Sequence, residues 1–144
     1  MSLRNNDLLT ILALATVITA PAGVAHADLT RACAPEINRY CADVNEGQGR
    51  ISSCLVGRMR QLSRGCLPEV QALGKSQLTP GPMRKIFDPA FRVPLPQACA
   101  APAARFCPGM APGEGRVFAC LYARSDRVPE ACSDAAQATL EQAR

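Results

Sequence analysis

The stretch that decides the fold is 33-CAPEINRYCADVNEGQGRISSCLVGRMRQLSRGC-66. It returns, with its cysteines in register, as 99-CAAPAARFCPGMAPGEGRVFACLYARSDRVPEAC-132. Cys33, Cys41, Cys54 and Cys66 are separated by 8, 13 and 12 positions, and so are Cys99, Cys107, Cys120 and Cys132. An offset of 66 also superposes Arg39 on Arg105, Tyr40 on Phe106, Gly47, Gly49 and Arg50 on Gly113, Gly115 and Arg116, and Leu55 and Arg58 on Leu121 and Arg124. Three matched intervals and these neighbours establish a duplicated module, and such a repeat has to be recognised before the fold is assigned.

Each module reads as a helical hairpin followed by a third helix. Ile37, Tyr40, Cys41 and Val44 recur at the spacing of one helix face, and Ile51, Cys54, Leu55, Met59 and Leu62 form a second stripe. Thr30 is the expected N-cap of the first helix, with Pro35 tolerated in its first turn. The Gly47-x-Gly49 segment breaks the chain between the two. Gly65 is expected to end the second helix, and Pro129 to end its counterpart. Leu67, Val70 and Leu73 suggest a third helix, matched by Ala136 and Leu140. No strand signal of any length is present. The fold class is all-α, two tandem disulfide-stapled helical-hairpin repeats.

Helix geometry narrows the cysteine pairing. Cys33 and Cys41 on one helix stand about 12 Å apart at about 1.5 Å per residue, beyond the roughly 7 Å that a disulfide bridges. Pairing Cys33 with Cys54 and Cys41 with Cys66 conflicts with an antiparallel hairpin. The nested set remains: Cys41–Cys54 and Cys33–Cys66, then Cys107–Cys120 and Cys99–Cys132. Twelve helical residues from Cys54 to Cys66 would rise about 18 Å, so the chain has to leave the helix early and return.

Residues 1–27 read as a signal peptide, with Arg4, an apolar run from Leu8 to about Ala20, and a small-x-small site at Ala25-His26-Ala27. Cleavage before Asp28 removes the only histidine. The domain plan is 1–27 signal peptide, 28–73 repeat 1, 74–97 Pro-rich linker and 98–144 repeat 2. In the linker, Pro80, Pro82, Pro89, Pro94 and Pro96 forbid a long helix. Ile86, Phe87 and Phe91 are too apolar for a free tether and are expected to dock on a hairpin, where a ligand groove is the sharper reading. An even cysteine count in a short exported chain implies disulfides, which a core with six aromatic residues and no Trp needs.

The chain carries 16 basic and 12 acidic residues. Arg58, Arg60 and Arg64 crowd one helix, while the second module has Asp126 and Glu130 in that region. This basic face reads as solvated, or as a surface for an anionic envelope component. Arg50 and Arg116 follow the paired glycines and read as loop-capping residues, or as an anion site at a helix start. Catalysis finds little support. Without histidine there is no Ser-His or Cys-His dyad, there is no C-x-x-C, and Asp126, Glu130 and Asp134 lie on the surface by pattern. No catalytic, cofactor or metal site is expected, no nucleic acid as partner, and no transmembrane span once the signal is removed.

The repeated C-x6-[YF]-C-x5-G-x-G-R-[IV]-x2-C-L-x2-R-x7-C unit resembles the cysteine-rich repeat of the Golgi cysteine-rich sialoglycoprotein family, also called the cysteine-rich fibroblast growth factor receptor repeat. The resemblance rests on Arg39-Tyr40-Cys41, Gly47-Gln48-Gly49-Arg50-Ile51, Cys54-Leu55 and Cys66, and on the same positions of the second module. It looks most like the short exported bacterial members. The resulting expectation is an exported, periplasmic or secreted, non-enzymatic repeat protein. Its role would be structural or binding in the cell envelope, with an unknown protein or anionic envelope component as partner. The alternative is a periplasmic thiol-redox or metal-handling protein.

Overall fold

The computed structural model describes residues 23–77, 79, 81–88, 91–110, 113 and 115–143. The leader expected over 1–27 therefore lies largely outside the described residues. Those residues are helical, with no strand among them. The α-helices are α1 (Gly23–Ala32), α2 (Ala34–Tyr40), α3 (Arg50–Gly57), α4 (Leu67–Leu73), α5 (Gly81–Arg84), α6 (Ala100–Phe106), α7 (Arg116–Ala123) and α8 (Glu130–Gln142). Short 3-10 turns occur at Met59–Gln61, Lys85–Phe87 and Gln97–Cys99. None of the described helices is long and apolar enough to cross a membrane.

Hairpins α2–α3 and α6–α7 are the repeated units. The structure joins Cys33 to Cys66 and Cys99 to Cys132 with Cα atoms 4.7 Å apart, and Cys41 to Cys54 and Cys107 to Cys120 at 6.0 and 6.1 Å. All lie within the reach of a disulfide.

Three local expectations are corrected. Thr30 lies inside α1 rather than capping a helix, because the helical break falls at Cys33, between α1 and α2. The second helix of repeat 1 stops at Gly57, well before Gly65. The chain makes a tight turn over Met59–Gln61 and then extends at Leu62 (φ −77°, ψ 146°). That early exit resolves the excess rise between Cys54 and Cys66: eight helical residues followed by a turn bring the chain back to the open end of the hairpin. Pro129 likewise starts α8 as its N-cap and ends no helix. Its preset φ and missing N–H suit a helix start.

The two repeats share a main core, beside which the second repeat has a smaller cluster of its own around its disulfides, Leu121 and Val128. Leu55 and Val70 from the first half are fully buried in the same cluster as Phe118, Ala119, Ala123 and Leu140 from the second. Burying a side chain such as Leu55 stabilises by about 2 kcal/mol. Helices α3 and α7 form the seam. A Cβ at Gly57 would stand 3.3 Å from the Arg116 carbonyl oxygen and 3.6 Å from the Cys120 nitrogen, so the missing side chain lets the backbones approach. Its repeat counterpart, Ala123, is fully buried.

The linker is part of this body. Met83, Ile86 and Phe91 are buried, and Phe91 meets Phe118 edge-on with ring centroids 5.9 Å apart. Such an edge-to-face pair adds about 0.5–1.5 kcal/mol to burial. Gly115 adopts φ 67°, and a Cβ there would collide with Ile86 at 2.5 Å. This glycine is therefore required twice, by its left-handed backbone and by the docked linker.

A candidate anion-binding groove

The inter-helix loop of repeat 1 is held by its own sequence. In repeat 1, Gly47, Gln48 and Gly49 all have positive φ (98°, 50° and 73°). Arg50, the first residue of α3, folds back over them. Its Nε donates to the Asn45 carbonyl at 2.9 Å, Nη2 to the Glu46 carbonyl at 2.6 Å, and Nη1 to Gln48 Oε1 at 3.2 Å. Its guanidinium donors thus serve the loop. Arg116 occupies the same place at the start of α7 and lines a groove.

Each loop reaches across the seam to the far end of the partner hairpin. Asp43 of the first loop meets the end of α7. Arg124, only 8% exposed, grips it with two prongs: Nη2 to Oδ1 at 2.9 Å and Nε to Oδ2 at 3.1 Å. Arg127 adds 2.9 Å to the Asp43 carbonyl and 3.3 Å to its carboxylate. Asn45 donates to Asp126, and the Tyr122 hydroxyl donates to the Gln48 carbonyl at 3.0 Å. Desolvation works to raise the Asp43 pKa, but hydrogen bonds and charge from Arg124 and then Arg127 outweigh it and hold the carboxyl below its ordinary range.

The open groove lies on the other side of the seam. It encloses about 820 Å³ between α3, α4, the start of α7 and the docked linker. Val56, Met59, Ile86 and Phe87 supply apolar lining. Arg60, Lys75, Arg84 and Arg116 bring four cations, against the single carboxylate of Asp88. Of the basic face expected at Arg58, Arg60 and Arg64, Arg60 lines this groove, Arg64 is exposed, and Arg58 is half-buried over the Tyr40 ring, 5.7 Å from its centroid. A second cavity of about 390 Å³, between α7, α8 and Met83, has no charged side chain in its lining.

The remaining candidates are placed as follows. All eight cysteines are in disulfides. Asp126, Glu130 and Asp134 are exposed. Among the described residues no group of three or more His, Cys, Asp or Glu side chains is placed to hold a metal ion. Sequence reasoning missed the Asp43 cluster and a buried acid, Glu36. The Glu36 carboxylate accepts the Ser63 N–H at 3.0 Å while its Oε2 has no partner. The Ser63 hydrogen bonds hold its carboxyl below the usual range.

Residues 25–63 match the sequence profile of the cysteine-rich repeat family. The chain carries a cysteine-rich repeat. Over 81 residues it is 32% identical to Golgi apparatus protein 1 of Mus musculus and of Rattus norvegicus, and 31% identical to that of Homo sapiens. Each alignment covers 56% of this chain and 6% of the relative, so the chain spans a small fraction of the proteins it matches. No solved structure matches it. A disulfide-rich repeat similar to a Golgi protein is consistent with an extracytoplasmic protein and with a structural or binding role.

Proposed function

We propose that this chain is an exported binding module of the cell envelope, periplasmic or secreted. It works by association, not catalysis, and its groove takes an acidic, partly apolar segment of a partner protein. The observation that carries this reading is the groove itself: an apolar lining with four cations against one acid. Charge of one sign over an apolar concavity attracts the opposite charge and gives the bound segment a surface to bury. The disulfides serve this role by holding a small core rigid, which lowers the ordering cost of association.

The test is binding of a fluorescein-labelled peptide alternating Glu and Leu, followed by anisotropy at low and raised salt. Reversing two rim charges together, Lys75→Glu with Arg84→Glu, is expected to weaken binding at least about tenfold, or about 1.4 kcal/mol, and to flatten its salt dependence. Equal binding by the native chain and the double variant refutes the groove. Alkylation before reduction, under denaturing conditions, addresses a thiol-redox or metal-handling role: several modified cysteines in the isolated native chain would favour that role.

A further inference from the structure

The seam has two ends related by the repeat, and they differ in one chemical respect. At one end, the Asp43 carboxylate sits in the grip of Arg124 and Arg127. At the other, the offset of 66 puts Gly109 in the place of Asp43, Arg58 in that of Arg124, Gln61 in that of Arg127 and Arg60 in that of Asp126. The side chain that fills the first end is thus absent from the second, while Arg58 keeps the place of Arg124, and Arg60, in the place of an acid, offsets the loss of Arg127. In that place is a cavity of about 120 Å³ lined by Gly57, Arg58, Arg60, Gln61, Gly109 and Arg116, with Met110 beside them. That is well beyond the roughly 10–15 Å³ that one water needs. Gly109 has φ 69°, a left-handed backbone that Asp43 does not share, with nothing within 4 Å of a Cβ built on it; a side chain there is strained, and Asp is among the non-glycine residues that adopt this conformation most readily.

We propose that this cavity is a carboxylate site, filled by an acidic side chain of the partner in the position that Asp43 occupies at the opposite end. The ligand chemistry is read from the molecule's own filled copy. The Arg124–Asp43 pair shows that the arginine at the end of a seam helix can meet a carboxylate two-pronged, the geometry in which a guanidinium is most selective for a planar oxyanion. Arg58 starts from a weaker arrangement, a 3.5 Å hydrogen bond to Gln61 Oε1 while over the Tyr40 ring. The cavity shares Arg60 and Arg116 with the groove, so the inference rests on the binding reading above and names where the bound segment places an acid.

The experiment is an amide NMR titration of the full chain with acetate, with inorganic sulfate, and with the Glu-Leu peptide. Saturable shifts are expected at Gly57–Gln61 and Gly109–Met110 with acetate and with the peptide. Arg58→Gln should weaken both at least about tenfold. Gly109→Asp, which supplies the carboxylate in cis, should remove both and leave the groove signals of Lys75 and Arg84 intact. Peptide binding that neither variant changes overturns the site but leaves the groove standing. Acetate binding sensitive to both variants, without peptide binding, supports the site and defeats the groove reading. Sulfate bound as tightly as acetate, and equally in both variants, means an adventitious ion only and refutes the proposal.

Discussion

The two ends of the α3–α7 seam started as copies of one another and now do different things. At the Asp43 end, an acid from one repeat meets Arg124, which is 9% exposed at its side chain, and Arg127 from the other. At the Gly109 end, the counterpart arginine is kept and the acid is gone. One end is closed by the chain's own charges, and the other is an arginine-lined cavity that runs into a groove. The lesson is that duplication supplies two equivalent cationic positions. Satisfying one internally holds the halves together, and leaving the other without its acid creates a place for an external one.

The outer disulfides set the largest energies and ought to be equal if the halves are structurally equivalent. Each closes a loop with a sequence separation of 33, which corresponds to about 4 kcal/mol of restriction on the unfolded chain. Replacing Cys33 and Cys66 together by Ser, or Cys99 and Cys132 together, is expected to lower denaturant stability by about that amount in each case. A loss confined to one pair would break the equivalence.

Arg124 and Arg58 are expected to differ. Arg124→Ala leaves Asp43 without its two-pronged partner and should cost about 1–2 kcal/mol, discounted because the Asp43 side chain is 54% exposed. Arg58→Ala removes a half-buried side chain with a single long hydrogen bond and should cost less than about 1 kcal/mol. Denaturant melts of the two variants check the order, and a larger loss at Arg58 would reverse the assignment of the two ends.

The same contrast has a pH signature. The Asp43 pKa is depressed in the folded state, so its contribution is fully present above the unfolded value of about 3.9. It is lost as pH falls through the lower folded value. Asp43→Asn should therefore flatten the acid limb of the stability curve below about pH 4 while changing its shape little near neutrality. An unchanged acid limb would show that the pair contributes nothing to linkage.

The smallest effect concerns a polar pair that one repeat keeps and the other has lost on both sides. Glu36 accepts the Ser63 N–H. The offset of 66 puts Pro102 at the Glu36 position and Pro129 at that of Ser63. Proline offers no N–H, so the donor disappears together with its acceptor. Ser63→Pro should lower the melting temperature of the native chain more than that of a Glu36→Ala chain. Equal losses would mean that the two residues are not coupled.

The all-helical class and the stapled hairpins were legible because cysteine spacing, helix rise and disulfide reach constrain one another. The exit of α3 at Gly57 was not. Met59 and Leu62 continue the apolar stripe, and only the need to return to Cys66 turns the chain away. The break at Cys33 was hidden for a similar reason, since the apolar pattern on either side is helical. Ile86, Phe87 and Phe91 signalled a docked linker, but not that it would line a groove with Arg60 and Arg116 from two different repeats. The Asp43–Arg124 contact joins positions 81 residues apart, and no local pattern announces it. Its only trace in the sequence is that Arg58 and Arg124 align while Asp43 and Gly109 do not.

Everything in this comparison depends on the two repeats being one folded body joined through the seam. Calorimetric unfolding with disulfides intact tests that directly. A single transition whose calorimetric and van't Hoff enthalpies agree is expected, because Leu55, Val70, Phe118 and Leu140 belong to one core. Two resolved transitions, or a van't Hoff enthalpy only about half the total calorimetric value, would contradict it and return the chain to two independent modules on a tether.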